Sequence, residues 1–179
     1  VVMVFAWSLG ALCKNLGTAD YIIEVSKDFL NPALLPMILF TIGAAMSLAT
    51  GSSWGPYAIL MPIAIPMSMT MGAPLFVTIA AVISGGLFGD HCSPLSDTTI
   101  LASMGAASDH IDHFRTQFPY ALTVAAVCVP LYIIAGFSQK TFIIIPGAIA
   151  LAIVIYFLHK LSMNKYSKEI ALKSDNMPA

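Results

Sequence analysis

The sequence predicts an all-α, polytopic membrane protein, and three observations carry that expectation. Hydrophobic residues make up 58% of the chain and charged residues only 9%, with a mean hydropathy of +0.86. A soluble domain carries about 25% charged residues, so this composition could not cover a water-exposed surface. Second, residues 31–89 contain no Asp, Glu, Lys, Arg or His. As helix that stretch would run roughly 90 Å, about three times the hydrocarbon thickness of a bilayer. Third, residues 116–139 and 141–158 form two further uncharged stretches. Intrinsic disorder is excluded, because disordered chains are poor in apolar residues. The net charge of −1 gives no general attraction for nucleic acid. A signal peptide has one short apolar core, so none of this is a targeting segment.

The elements follow in order from Gly, Pro and charge. Residues 1–13 are apolar but too few to span, and the chain begins at Val1. They are expected to be the cut end of a transmembrane helix, and the chain the C-terminal piece of a longer protein. Residues 14–31, with Asp20, Glu24, Lys27 and Asp28, predict an interfacial helix or loop. Residues 34–48 predict a helix. The TGSSWGP run at 50–56 interrupts it, since two glycines and a proline do not continue a helix well. Apolar sequence resumes over 57–71 with Pro62 and Pro66 inside, turns at 72–74, and continues as a helix over 75–88. A second interruption is expected over 85–99, then a short helix over 100–107 and a polar loop over 108–117. Residues 118–135 and 142–158 predict a transmembrane hairpin around Lys140. The sum is about five membrane-crossing elements with two broken or re-entrant segments: a membrane region at 1–158 and a polar, basic tail at 159–179. Cys13, Cys92 and Cys128 give no disulfide framework.

Four of the eight basic residues, Lys160, Lys165, Lys168 and Lys173, follow the last apolar stretch. The positive-inside rule then puts the C-terminus in the cytoplasm, the Lys140 turn outside and the loop with Arg115 inside.

Interrupted helices at membrane depth survive only where protein or a water-filled cavity satisfies the freed backbone groups. Transporters use such breaks as ion and substrate sites. Here the first interruption offers the hydroxyls of Thr50, Ser52 and Ser53. The second offers those of Ser93, Ser96, Thr98 and Thr99, with the carboxylates of Asp90 and Asp97. Sodium, a hard cation, favours oxygen ligands, as calcium and magnesium do. A carboxylate in a poorly hydrated place holds its proton more tightly and can release it when a cation arrives. One such site can therefore exchange H+ for a cation. Asp97 ranks first as the coupling group, because hydroxyls flank it and a helix starts beside it. Asp90 ranks second, with His91 as a modulator of the type that titrates near neutral pH.

Plainer readings stand beside these. The TGSSWGP run also fits an ordinary turn. Asp97 or Ser96 also fits a helix cap, His91 a hydrogen-bonded structural residue, and Trp54 an interfacial belt residue. His110 and His113 stand at i, i+3, a spacing seen in metal sites. With His91 and Cys92 they define an alternative from another class, an intramembrane metalloenzyme. No HExxH is present, and a solvated loop is the better account of the run.

The stretch GDHCSPLSDTTILASMGAASDHIDHFRTQFPYAL, residues 89–122, closely resembles the signature region of the NhaC-type sodium/proton antiporter family. SLATGSSWGPYAILMPIAIP, residues 47–66, resembles that family's other diagnostic stretch. The likeness runs over most of residues 33–137. It implies a secondary transporter of two related halves with opposite topology, of which this chain is most of the C-terminal half. The family pattern points to Thr50, Gly51, Ser52, Ser53, Asp90, Ser93, Ser96, Asp97, Thr98 and Thr99. The family also holds exchangers of malate and lactate, and relatives proposed to move amino acids.

The expectation is thus a secondary antiporter of the cell membrane, exchanging Na+ for H+, and not an enzyme. An organic-anion or amino-acid exchanger of the same fold is the first alternative. No cofactor is expected. The expected partners are the two ions, the bilayer, a matching N-terminal half and a second copy of the chain, and not nucleic acid.

Overall fold

The computed structural model describes residues 2–26, 30–138 and 144–175, and these are helical apart from short connections. The chain forms two compact units, 1–141 and 142–179. The first holds α1 (Val2–Asn15), α2 (Thr18–Ser26), a 3-10 turn (Pro32–Leu34), α3 (Leu35–Thr50), α4 (Trp54–Met71), α5 (Leu75–Cys92), α6 (Asp97–Gly105) and α7 (His110–Ser138). The second holds α8 (Ile144–Asp175), which carries helix through the polar sequence after Leu158.

The centre of the first unit is the pairing of α3 with α5, its most extensive helix contact. Small residues make the pairing possible. A Cβ on Gly85 would collide with the Phe40 carbonyl, and one on Gly89 with the Ala44 carbonyl and the Leu48 nitrogen. Gly85 and Gly89 are four apart, so they lie on one face of α5 and let the α3 backbone come close. Where no water drives apolar surfaces together, this close packing replaces the hydrophobic effect as the force between helices. The packing continues outward through Phe40, Phe88 and Tyr132, and the Tyr132 hydroxyl is bonded to Ser84 and to the Ala80 carbonyl.

The helices α1 and α2 pack on α4. Pro62 has no N–H, so the Ala58 carbonyl loses its helical partner. Gly10 of α1 approaches that carbonyl, where a Cβ would stand 3.1 Å away.

Three helices are long and apolar enough to cross a membrane: Pro32–Thr50, Leu75–Cys92 and His110–Ser138. The apolar part of α8, Ile145–Lys160, is shorter. The expected count of about five therefore exceeds the three that meet this standard among the described residues.

Two boundaries differ from the sequence reading. The second interruption does not begin at Gly85, because α5 runs on to Cys92. Its glycines serve helix packing rather than a break. The polar stretch expected as a loop over 108–117 is mostly the first turns of α7, capped by Asp109, whose Oδ1 accepts from the Ile111 and Asp112 amides at 2.9 and 3.1 Å. A capped amphipathic start competes with the loop composition, and the cap wins. Residues 139–143, with the expected Lys140 turn, and the Lys27 and Asp28 positions lie outside the described residues.

Candidate functional site

The two interruptions lie against each other. The first is short: α3 ends at Thr50, Gly51 adopts the left-handed conformation (φ 68°), and α4 starts at Trp54. Glycine suits this position twice over. It takes the positive φ without strain, and a Cβ there would stand 2.7 Å from the Leu95 carbonyl and 2.9 Å from the Ser96 nitrogen. The second break spans 93–96, between α5 and α6. Ser93 donates to the Leu48 carbonyl at 2.8 Å and so joins the second break to the last turn of α3.

Asp90 is the carboxylate at the centre. It sits in the last turn of α5 and is 6% exposed. Ser96 Oγ donates to its Oδ1 at 2.6 Å, and Ser53 Oγ to its Oδ2 at 3.3 Å. Each serine is the residue immediately before a helix: Ser53 before α4, Ser96 before α6. Two helix N-termini, each with a partial positive charge, thus begin beside one buried carboxylate. Ser53 makes no cap bond with its own helix. Ser96 does both tasks, accepting from the Thr98 amide at 3.2 Å while donating to Asp90.

The Ser96 hydroxyl is also 2.7 Å from Thr98 Oγ1. Asp90, Ser96 and Thr98 therefore form a continuous series of oxygens from a buried carboxylate to an exposed residue.

The other expected residues divide around this centre. Asp97 is exposed in the first turn of α6, a position that suits an acid by the helix dipole. His91 is exposed, its Nδ1 2.9 Å from the Leu87 carbonyl. Thr50 is exposed and donates back to the Met46 carbonyl at 2.9 Å. Ser52 lends its carbonyl, not its hydroxyl, to Ser47 at 3.1 Å. Thr99 is buried, and its carbonyl accepts from Ser103 at 2.8 Å.

Sequence reasoning missed Ser47. It is fully buried and donates to the Gly86 carbonyl at 2.6 Å, with the Ser52 carbonyl 3.1 Å from the same hydroxyl, tying the first break to α5. Its signal was the small-residue face formed with Gly43 and Ala44, one turn before the break. His110 and His113 are not in a solvated loop. They share the buried hydroxyl of Ser103. Among the described residues no three of His, Cys, Asp and Glu group in a way that could hold a metal ion.

Apolar helices broken around a hydroxyl-bound, buried carboxylate define a polytopic membrane protein with a polar site inside it. The chain belongs to the Na+/H+ antiporter family, whose model matches residues 1–137. Over 73% of its length it is 32% identical to the malate-2H(+)/Na(+)-lactate antiporter of Bacillus subtilis, of which it covers 28%. Over 78% it is 31% identical to the arginine/ornithine antiporter ArcD of Halobacterium salinarum, covering 29%. Over 70% it is 27% identical to the Na(+)/H(+) antiporter NhaC of Alkalihalophilus pseudofirmus, covering 27%. The chain thus spans less than a third of the length of these relatives. No solved structure matches it. The family is one of transporters, so the metalloenzyme alternative is set aside.

Proposed function

We propose that this chain carries the cation–proton exchange site of a secondary Na+/H+ antiporter, with Asp90 as the coupling carboxylate. One observation supports this most: a buried carboxylate whose two oxygens accept hydroxyls from two separate helix breaks. Asp90, Ser53 and Ser96 supply oxygens of the type a hard cation favours. When a proton occupies Asp90 the site is neutral. When the proton leaves, the anion is held by two hydroxyls and two helix N-termini until Na+ neutralises it. The exposed Asp97, ranked first from sequence, becomes the dipole-stabilising acid of α6. The Asp90–Ser96–Thr98 series is the route assigned to the proton. The cytoplasmic C-terminus, the inner or plasma membrane location, a matching half and a homo-oligomer belong to the same proposal.

A second reading follows from the relatives. Two of them are named as exchangers of organic ions. There the α4 and α6 N-termini would bind a substrate carboxylate. The test is transport in proteoliposomes: an imposed pH gradient should drive Na+ uptake without added malate, lactate, arginine or ornithine. Uptake only when one of these is present would favour the second reading.

A further inference from the structure

Three side chains on one face of α7, His110, His113 and Gln117, reach the second break and the helix that follows it. Their spacing of three and four residues stacks them along the helix. His110 Nε2 is 2.7 Å from the Pro94 carbonyl. A carbonyl only accepts, so this nitrogen carries the hydrogen. Gln117 Nε2 donates to the His91 carbonyl at 3.0 Å. His113 Nδ1 is 2.7 Å from Ser103 Oγ, and His110 Nδ1 is 3.3 Å from the same oxygen. Ser103 is buried in α6 and donates to the Thr99 carbonyl at 2.8 Å.

The carbonyls of His91 and Pro94 belong to the end of α5 and the start of the break, where the helix ladder has run out. Both need a donor from outside their own helix. Their partners come from α7. The opposite side of the break is held by α3, through Ser93 on the Leu48 carbonyl and through Gly51 against Leu95 and Ser96. Ser96, which donates to Asp90, is therefore fixed between two anchors.

We propose that His110 and Gln117 are positioning residues for the exchange site: from α7 they hold the second break where Ser96 meets Asp90. This rests on the Asp90 reading given above. It gives the Asp-His-Ile-Asp-His run a role in cation affinity, and makes α7 the element whose position sets that affinity.

The test is Na+/H+ exchange by the protein in proteoliposomes. His110→Phe keeps a planar ring and removes the donor, and His110→Gln keeps an N–H for the Pro94 carbonyl. Gln117→Leu, at a part-buried position, serves if His110→Phe does not fold. Loss of one clamping bond should raise the apparent KM for Na+ up to about tenfold, with Vmax within about twofold of the parent. His110→Gln should restore most of the affinity. An unchanged KM in both His110→Phe and Gln117→Leu overturns the proposal, as does a loss of Vmax alone that tracks the amount of folded protein. Asp90→Asn in the same vesicles separates the two inferences. If it is inactive while both α7 variants keep the parent KM, the clamp fails and the exchange reading stands. If Asp90→Asn transports normally, both fall.

Discussion

The hydroxyl of Ser93 donates to the main-chain carbonyl of Leu48 at 2.8 Å, joining the two interrupted segments across 45 residues of sequence. A serine after one helix end thus satisfies a carbonyl at another helix end. The first break is therefore not an isolated turn, because the second supplies a donor to the helix end beside it.

Replacing Asp90 with Asn should abolish Na+-driven proton movement, since an amide cannot exchange a proton for a cation. Asp97→Asn should keep most of the activity. Fluorescence of a pH-sensitive dye in everted vesicles measures both. Normal coupling in Asp90→Asn, or its complete loss in Asp97→Asn, would return the role to Asp97.

Competition of H+ and Na+ for one carboxylate predicts a definite pH dependence. As pH rises, apparent Na+ affinity should tighten by about tenfold per unit and then level off once the site is deprotonated. The measurement is the Na+ concentration dependence of flux at fixed membrane potential across a pH series. An affinity that does not move with pH would require separate proton and cation sites.

Thr98→Val removes the exposed end of the hydroxyl series with little change in shape. Proton-coupled flux should slow by roughly tenfold or more, and Thr98→Ser should behave like the parent. Equal fluxes in all three proteins would route the proton elsewhere.

Gly51→Ala adds a side chain where φ is 68° and where its Cβ would press on the Leu95 carbonyl and the Ser96 nitrogen. The left-handed conformation alone costs roughly 1–2 kcal/mol for a residue with a Cβ. The variant should unfold at a lower temperature in detergent and bind Na+ more weakly. A thermal midpoint equal to the parent's would mean that the breaks do not pack this closely.

A reporter that is active only outside the cytoplasm, fused after Ala179, should stay silent. Its activity would refute the orientation drawn from Lys160, Lys165, Lys168 and Lys173.

Composition, Gly/Pro punctuation and charge distribution by themselves determined the membrane class, the helical architecture and the existence of both breaks, though not where the second one begins. These are local properties: whether a segment can sit in lipid, and whether a helix can continue through it, depend on the residues in that segment. The clustering of hydroxyls and carboxylates at the breaks was visible for the same reason. Which of Asp90 and Asp97 is buried was not. In sequence Asp97 has more hydroxyl neighbours, yet it lies exposed in the first turn of α6. Asp90 is buried because Gly85 and Gly89 draw α3 close, and because Ser53, 37 residues away, reaches its carboxylate. The contacts of the 108–117 stretch were hidden likewise. His110, His113 and Gln117 read as solvent-facing until Ser103, Pro94 and His91 are seen to be their partners. Burial and pairing of a polar group depend on what distant segments place beside it, and only the tertiary structure decides that.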